Sequence, residues 1–395
     1  MVNFIYNTPT KVVFGRGVEK QVGELVKAQK ATKVLVHYGS ERTRESGLLE
    51  LVANSLKEQG IEYLELGGVV PNPHLSLVRE GIRLCRAEGV DFILPVGGGS
   101  VIDSGKAIAY GAANEEDVWS FFEGTAVPTA ALPVGAVVTL AAAGSEMSDS
   151  CVITDEQNGK KYGLNNDLGR CRFAVMNPEL TLSVPAYPTA CGCADIMMHT
   201  LERYFTGEKT MEITDGIAES LLRTVIENSQ ILTRHPESYE ARAEIMWAGA
   251  LSHNGLTGCG GGRGDWACHQ LGHEISAKYN VAHGASLTSI WGCWAQYVYK
   301  QNPARFARLA VEVLDLPHEG TEEQLALAAI EEMDGIFWGL DMPTSFKDLG
   351  IKPNARDISE MVEGASRAGK RTLGSFRVLG KADMENIYEM ASQKE

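Results

Sequence analysis

The first half of the chain alternates short apolar runs with amphipathic stretches. The apolar runs are bounded by glycine or proline and have the length of buried strands. They are Lys33–Tyr38, 63–66, 92–96 and 134–139. Between them, hydrophobic positions recur at helical spacing over 18–29, 48–59 and 75–88. Strands that alternate with helices in this way predict a parallel sheet with helices on both faces.

Beyond residue 187 the pattern changes, and almost every segment has helical periodicity. The predicted helices cover 190–205, 211–232, 238–256, 265–278, 303–314 and 322–340. A chain of 395 residues is also too long for one ordinary hydrophobic core. We therefore predict two domains, an α/β domain with a parallel sheet over residues 1–184 and an all-helical domain over residues 185–395.

Charge and composition narrow the class of function. The 36 Lys and Arg residues against 51 Asp and Glu residues give a formal net charge of −15, which argues against binding to nucleic acid or to an anionic membrane. The sequence has no apolar run of the ~20 residues that cross a bilayer, and its first residues lack the pattern of a secretion signal. We expect a cytoplasmic protein whose 8 scattered cysteines are free thiols.

A glycine cluster directly follows the third apolar run. Gly97, Gly98 and Gly99 precede Ser100 and a predicted helix start. The backbone N–H groups of such a turn and the helix N-terminus bind phosphate groups, and Ser100 would cap the helix. The spacing differs from the G-x-G-x-x-G dinucleotide fingerprint, so a phosphate-binding turn and a tight turn without a ligand both stay open. A second cluster of small residues, 139–148, either lines the same site or packs closely on its neighbours.

Acidic and histidine residues recur at a spacing of four. Asp195 pairs with His199, and His269 pairs with His273. On a helix the members of each pair face the same side, and His283 follows in a predicted loop. Three imidazoles and one carboxylate from two helices and a loop are typical of a divalent metal site with a coordination position left for a substrate oxygen. The alternative is that each histidine is an ordinary hydrogen-bonded residue. We adopt that alternative for His37, His74, His235, His253 and His318.

Together these motifs resemble the iron-containing (group III) alcohol dehydrogenase family over nearly the whole chain. The resemblance rests on 97–100 with Asp103, on 144–147, on Asp195 with His199, and on His269, His273 and His283. It is strongest to the branch of NADPH-dependent butanol dehydrogenases and aldehyde reductases, which the sequence of residues 265–267 favours. It implies a Rossmann-like, dehydroquinate synthase-like dinucleotide-binding domain followed by a metal- and substrate-binding domain. The implied metal ligands are Asp195, His199, His269 and His283.

The resemblance also implies which residues bind the nicotinamide cofactor. They are Gly39, Ser40, Arg42, Asn72, Gly98, Gly99, Ser100, Asp103, Thr139, Leu140 and Lys161. Two departures from the family pattern concern this set. Ala143 stands where the family has threonine, and residues 39–44 replace a run of glycines. Arg42 and Arg44 favour a 2′-phosphate whereas Glu41 would repel it, and we expect NADP to be preferred over NAD.

The implied activity is the reversible oxidation of small primary alcohols to aldehydes by a homodimer. The metal, expected to be Fe²⁺ with Zn²⁺ as the alternative, would act as a Lewis acid, and His273 would relay the proton. One alternative is a lyase similar to dehydroquinate synthase, which would need basic residues to clamp a phosphorylated substrate. The chain instead has Met197, Met198, Trp266 and Trp291 around the predicted site. The other alternative is a non-catalytic regulator that binds a nucleotide or a metal.

Overall fold

The chain folds into two compact units. The computed structural model describes residues 1–394, and Glu395, the last residue of the predicted second domain, lies outside the described residues. One unit is Asn7–Val184, and the other combines Met1–Tyr6 with the chain from Pro185 onward. The sequence predicts the first six residues in the α/β domain. They belong instead to the helical unit, where the Val2 N–H donates to the Gly260 carbonyl at 2.9 Å.

A parallel sheet of six strands forms the centre of the unit Asn7–Val184. The strands of this unit are β1 (Lys11–Phe14), β2 (Lys33–Tyr38), β3 (Glu62–Leu66), β4 (Phe92–Gly97), β5 (Gly135–Val138), β6 (Ser150–Asp155), β7 (Lys160–Asn165) and β8 (Phe173–Met176). The order across the sheet is β1-β8-β5-β4-β2-β3, while β6 and β7 form a separate antiparallel hairpin. Tyr38 pairs with Val96, and Gly97 pairs with Val138. The carboxyl ends of β2, β4 and β5 therefore lie side by side.

Helices cover both faces of this sheet. They are α1 (Val22–Ala28), α2 (Glu41–Glu45), α3 (Leu48–Glu58), α4 (Leu75–Glu88), α5 (Gly99–Ala113) and α6 (Val118–Glu123), with short 3-10 turns at Val18–Gln21, Asp167–Gly169 and Pro178–Thr181. Val34 of β2 shares a buried core with Val22 of α1 and Val52 of α3. On the opposite face α5 packs so closely on β4 that a Cβ at Gly105 would lie 2.5 Å from the Pro95 ring. Strands buried on both faces explain the continuous apolar runs, and the predicted α/β architecture is confirmed.

His37 is a fully buried polar residue in β2. Its Nδ1 lies 2.8 Å from the Leu66 carbonyl oxygen, and its Nε2 lies 2.8 Å from the Ser104 hydroxyl. Because a carbonyl can only accept, Nδ1 carries the proton and Nε2 accepts from Ser104. Burial lowers the pKa of His37 to about 4, although its hydrogen bond to Leu66 opposes the shift. The fold therefore stabilises the neutral imidazole.

We expect this histidine to make stability fall as the pH falls. The unfolded state binds a proton near pH 6.5 and the folded state only near pH 4. The contribution of His37 to the free energy of unfolding is therefore complete above pH 6.5 and decreases progressively as the pH falls to 4. This difference between the two pKa values corresponds to about 3 kcal/mol in the free energy of unfolding. The drop in urea midpoint between pH 7.0 and 4.5 should be smaller in His37→Asn than in the wild type. His235→Asn, at an exposed histidine, is the control, and an equal drop in His37→Asn and wild type would contradict the assignment.

The second unit is helical. Its helices are α7 (Ala186–Tyr204), α8 (Glu212–Arg234), α9 (Tyr239–His253), α10 (Ala267–Tyr279), α11 (His283–Val298), α12 (Pro303–Glu312), α13 (Glu322–Gly339), α14 (Ala355–Ala365) and α15 (Lys381–Gln393), with 3-10 turns at Leu256–Gly258 and Tyr299–Gln301. This architecture confirms the predicted helical C-terminal region. None of the helices in residues 1–394 combines the length and the hydropathy needed to cross a membrane.

Aromatic packing fixes α7 and α11 relative to each other. Phe205, at the end of α7, lies 5.6 Å from Trp294 of α11 and 4.3 Å from Phe306 of α12, measured between ring centroids. Phe376 closes the cluster at 5.6 Å from Phe205. Buried aromatic side chains contribute large apolar areas and preferred edge-to-face geometries. Helices α7 and α11, which carry three of the four predicted metal ligands, therefore share one packed aromatic core.

Candidate functional site

Helix α7 presents Asp195 and His199 on one face. The two residues are one helical turn apart, and both are buried. Ile196, Met197 and Met198 lie between them and are fully buried as well. A carboxylate in such apolar surroundings is costly unless a cation or hydrogen bonds compensate its charge.

Helices α10 and α11 supply the other histidines. His269 and His273 are buried on α10. The sequence predicts His283 in a loop, but the structure places it as the first residue of α11. The first turn of α11 approaches the backbone of α7 so closely that a Cβ at Gly284 would lie 2.2 Å from the Cys191 carbonyl oxygen. Glycine at this position therefore allows His283 to reach the Asp195 carboxylate.

Three of the predicted ligands converge on a carboxylate oxygen of the fourth. Asp195 Oδ1 lies 3.8 Å from His199 Nδ1, 3.7 Å from His269 Nε2 and 3.7 Å from His283 Nε2. These separations are too long for hydrogen bonds. They are close to the ~3.4 Å expected between two ligand atoms that each lie ~2.1 Å from a shared tetrahedral ion. The ligand atoms of Asp195, His199 and His269 all lie within 4.8 Å of one another.

Unsatisfied nitrogens at this position support a metal. Within residues 1–394, His199 Nδ1 and His269 Nε2 are buried atoms without a hydrogen-bond partner. Buried polar atoms in native proteins are normally satisfied. A divalent cation among the imidazoles would satisfy both nitrogens and compensate the carboxylate charge. The donor set of three imidazoles and one carboxylate suits Fe²⁺ and Zn²⁺, so the residues fit the group that the resemblance implies.

The surroundings change the pKa values of the two buried imidazoles in opposite directions. Burial, reinforced by the neighbouring His253, lowers the pKa of His199 well below its usual value. Burial also lowers the pKa of His269, but its interactions with Asp195 and Glu202 outweigh that effect and raise the pKa overall. A neutral His199 is the form that binds a metal ion.

His273 lies beside the ligand cluster rather than within it. Its ring centroid is 5.3 Å from that of His283 and 6.5 Å from that of His269. The side chain is buried on α10, one turn beyond His269. This position brings an imidazole next to the cluster without making it a member of the compact ligand group.

Sequence reasoning missed three residues that surround the cluster. Glu202 is buried on α7 and lies 3.0 Å from His269 Nδ1. Arg203 stacks on the Trp266 ring at 4.6 Å and donates to the His199 carbonyl at 2.9 Å. His253 packs its ring 4.0 Å from that of His199. A signal for Glu202 was present in the sequence, because Asp195, His199 and Glu202 follow the i, i+4, i+7 spacing of one helix face.

Asp265 holds the start of α10. Its carboxylate accepts from the Ala267 N–H at 3.1 Å and from the N–H groups of Ser375 and Phe376 at 2.8 and 2.9 Å. Burial, together with the neighbouring Glu202, raises the pKa of this carboxyl group. Asp265 therefore joins Ser375 and Phe376, which follow α14, to the first turn of α10.

In the unit Asn7–Val184, the two clusters of small residues meet. A Cβ at Gly98 would lie 3.0 Å from Leu140 Cβ, and a Cβ at Gly99 would lie 3.0 Å from Ala143 Cβ. The glycines therefore allow the turn after β4 to lie against the segment after β5. Ser100 does not cap the helix as predicted. Helix α5 begins at Gly99 with Gly98 as its N-cap and no side-chain cap hydrogen bond, because the helix starts two residues earlier than the serine cap requires.

Asp103 and Lys106 of α5 organise the segment 144–152. Asp103 accepts from the Ser145 hydroxyl at 2.5 Å and from the Val152 N–H at 2.8 Å. Lys106, fully buried, donates to the carbonyl oxygens of Ser145 at 2.6 Å and Ser150 at 2.8 Å. Both side chains therefore bind the protein's own turn in this structure.

The remaining predicted cofactor residues follow strands β2, β3 and β5 or lie in the β6–β7 hairpin. Lys161 of β7 donates to Asn72 Oδ1 at 2.9 Å, and Asn72 adopts a left-handed conformation. A Cβ at Gly39 would lie 3.7 Å from Val101 of α5, and Thr139 donates its N–H to the Gly97 carbonyl at 3.0 Å. Ligands of open α/β sheets bind at the carboxyl ends of the strands. The predicted set is therefore compatible with a single dinucleotide site.

The two arginines after β2 have different surroundings. Arg44 pairs with Glu65 at 2.6 Å and with Glu41 at 3.4 Å, and it also donates to the Tyr38 hydroxyl. Arg42 is exposed on the five-residue helix α2, directly after Ser40, the N-cap. Because its charge is already compensated by two carboxylates, Arg44 is a poorer candidate than Arg42 for binding a phosphate.

The comparisons with known proteins agree along the whole chain. The family model "Iron-containing alcohol dehydrogenase" matches residues 9–178. The model "Fe-containing alcohol dehydrogenase family, C-terminal" matches residues 189–392. NADH-dependent butanol dehydrogenase A of Clostridium acetobutylicum is 36% identical over 390 residues, covering 98% of this chain and 99% of that protein. NADPH-dependent aldehyde reductase YqhD of Escherichia coli is 32% identical over 394 residues, covering 99% and 100%.

A solved structure gives the same result. The crystal structure of NADH-dependent butanol dehydrogenase A from Thermotoga maritima has a TM-score of 0.95 and 38% identity to this chain, and the match covers 99% of both chains. The matched regions include the four predicted metal ligands and the glycine turn after β4. The chain therefore belongs to the iron-containing alcohol dehydrogenase family.

Proposed function

We propose that the protein interconverts small primary alcohols and aldehydes, using a divalent metal and a nicotinamide cofactor. As a member of its family it is an oxidoreductase, an alcohol dehydrogenase and aldehyde reductase. The observation that supports the metal most strongly is the convergence of imidazole nitrogens from α7, α10 and α11 on Asp195 Oδ1, at 3.7 to 3.8 Å. We expect Fe²⁺ at this site, with Zn²⁺ as the alternative.

The helical unit would supply the metal ligands. When bound, the ion supplies Lewis acidity toward the substrate oxygen. Asp195 contributes the one negative charge of the proposed ligand set, and His199, His269 and His283 contribute neutral nitrogens. Met197 and Met198, the neighbours of these ligands on α7, are fully buried, so the segment that carries Asp195 and His199 is surrounded by protein.

His273 would carry the proton. An imidazole accepts and donates protons readily near neutral pH. During oxidation a ring nitrogen of His273 would take the hydroxyl proton of the alcohol, and during reduction it would return that proton to the forming hydroxyl group. Its ring lies 5.3 Å from His283, so it is close enough to the ligand cluster to meet a small substrate there.

The unit Asn7–Val184 would bind the dinucleotide. The turn at Gly98, Gly99 and Ser100 would bind the pyrophosphate through backbone N–H groups at the start of α5. Asp103 would contact the nicotinamide ribose, and Gly39, Ser40 and Arg42 would bind the adenosine half. Further contacts with the cofactor would come from Asn72, Thr139, Leu140 and Lys161. A bound nicotinamide cofactor would supply the hydride chemistry, and these residues would align it with the substrate.

A cofactor-by-substrate grid tests both the activity and the cofactor preference. We expect purified protein to oxidise NADPH at 340 nm when butanal is added, to lose this activity with a chelator, and to regain it with Fe²⁺ or Zn²⁺. We predict a higher kcat/KM with NADPH than with NADH, by about tenfold or more, since a charged contact to the 2′-phosphate contributes ~1.5–3 kcal/mol. No turnover of any alcohol or aldehyde would contradict the proposed function.

The predicted preference for NADPH depends on Arg42, because Arg44 is already paired with carboxylates. The similar proteins include an NADH-dependent and an NADPH-dependent enzyme, so the preference depends on the residues of this chain. Arg42→Ala should reduce the NADPH-to-NADH ratio of kcat/KM about tenfold, and Arg356→Ala, at an exposed arginine of α14, should leave it unchanged. Equal or better use of NADH by the wild type would mean that Glu41 and Glu65 outweigh Arg42.

Assembly and location stay predictions. We propose a homodimer in the cytoplasm, on the basis of the family resemblance. Light scattering on the purified protein measures the number of chains in the assembly.

A further inference from the structure

Glu202 is a buried carboxylate that contacts His269 twice. Its Oε1 accepts from the His269 backbone N–H at 2.8 Å and lies 3.0 Å from His269 Nδ1. The side chain is 3% exposed. Since Nε2 is the nitrogen that lies 3.7 Å from Asp195 Oδ1, Glu202 contacts the side of the ring opposite to the ligand cluster.

This geometry determines the proton position on His269. A carboxylate accepts hydrogen bonds, so a neutral His269 carries its proton on Nδ1 and leaves the Nε2 lone pair directed toward Asp195. Carboxylates that hold a metal-binding histidine in this way orient the ring and make its other nitrogen more basic. We propose that Glu202 is a positioning residue that raises the metal affinity of the site by holding His269 as the Nδ1–H tautomer. This inference rests on the metal-binding function proposed above.

The start of α10 has support that does not depend on the Glu202 side chain. The Asp265 N–H donates to the backbone carbonyl of Glu202 at 2.7 Å, and the Asp265 carboxylate accepts from Ala267, Ser375 and Phe376. A change of the Glu202 side chain therefore leaves several hydrogen bonds that hold this turn. Glu202→Gln in addition keeps an amide oxygen that can accept from both His269 donors, while the negative charge is lost.

The test measures metal binding rather than turnover. Zn²⁺ affinity of the full-length, metal-stripped protein is measured by competition with a chelator of known affinity, and the Co²⁺ absorption spectrum reports the ligand geometry. We expect Glu202→Gln to raise the Zn²⁺ Kd about tenfold and Glu202→Ala to raise it ~10–100-fold. The Co²⁺ spectrum should change most in Glu202→Ala, where the ring loses its orientation.

A matched control separates this role from the loss of any buried charge. Glu219 of α8 is also 3% exposed, and its carboxylate pairs with Arg308 at 2.6 Å, away from the histidines. Glu219→Gln should leave the Zn²⁺ Kd within twofold of the wild type. Thermal unfolding of the metal-free proteins checks the fold. If Glu202→Ala does not fold, the Zn²⁺ Kd of Glu202→Gln alone tests the role of Glu202.

The outcomes distinguish the failure of this inference from that of the proposed function. A wild-type Kd in folded Glu202→Gln and Glu202→Ala, or equal weakening in Glu219→Gln, would overturn the role of Glu202 alone. A wild-type protein that binds no divalent metal would overturn the proposed metal site and this inference together. Weaker binding in both Glu202 variants, with an unchanged Glu219→Gln and an intact metal-free fold, supports the positioning role.

Discussion

Asp195→Ala and His269→Ala proteins are expected to lose most of their bound metal and about 10³-fold or more in kcat/KM. Asp195 Oδ1 lies within 3.8 Å of all three imidazole nitrogens, so its removal takes the central ligand and the negative charge from the set. A Lewis acid contributes several kcal/mol to stabilising charge in the transition state, and each 1.36 kcal/mol is a factor of ten in rate. Elemental analysis and the butanal assay measure the two effects.

The controls for this prediction address charge and folding. Asp195→Asn keeps the size of the side chain and loses its charge, and it should also bind little metal because an amide is a weaker ligand than a carboxylate. His235→Ala changes an exposed histidine in the same unit and should keep both metal and activity. Near-stoichiometric metal in folded Asp195→Ala and His269→Ala would contradict the ligand assignment.

His273→Ala should keep its metal and lose about 10²-fold in kcat near neutral pH. The His273 ring lies beside the ligand cluster, 5.3 Å from that of His283 and 6.5 Å from that of His269. Because His273 is not one of the four proposed ligands, we expect these ligands to stay in place when it is removed. General acid–base catalysis contributes ~10²–10⁴-fold. As the pH rises, hydroxide replaces the missing base, and kcat for alcohol oxidation should recover in part.

Two readouts separate a proton relay from simple packing. If His273 only packs against the cofactor, His273→Ala raises the KM for the cofactor and keeps the shape of the pH profile. If it relays the proton, kcat falls and the profile loses its dependence on the imidazole. Wild-type kcat of His273→Ala across pH 6–10 would assign His273 a structural role.

Several elements escaped sequence reasoning for identifiable reasons. Helix α11 is buried almost all round, so it has no polar face and no amphipathic period. Strands β1 and β8 have four residues each and were not predicted, although the equally short β5 was. Strand β7 alternates exposed and less exposed positions and contains Gly163, which weakens its strand signal. The longer runs of β2 and β4 were predicted nearly to the residue because a strand buried on both faces must be apolar throughout.

Local geometry determined what the sequence could show about the site. The four-residue spacing of Asp195 and His199 places both on one face of any helix, whatever surrounds it. The glycine turn after β4 could also be predicted, since a strand, glycines and a helix start are contiguous in the chain. The position of Glu202 was implicit in the same helical periodicity.

Only the tertiary structure decided which of these local features act together. His269 and His283 reach Asp195 because α10 and α11 pack on α7, with Gly284 permitting the close approach of two backbones. Arg44 is engaged by Glu65, a residue of the neighbouring strand, so its availability to a phosphate depended on strand order. The contact of Glu202 with His269 Nδ1 likewise joins two helices. Spacing along a chain determines which side chains share a face, whereas contacts between distant segments depend on the packing of the whole core, which no local pattern contains.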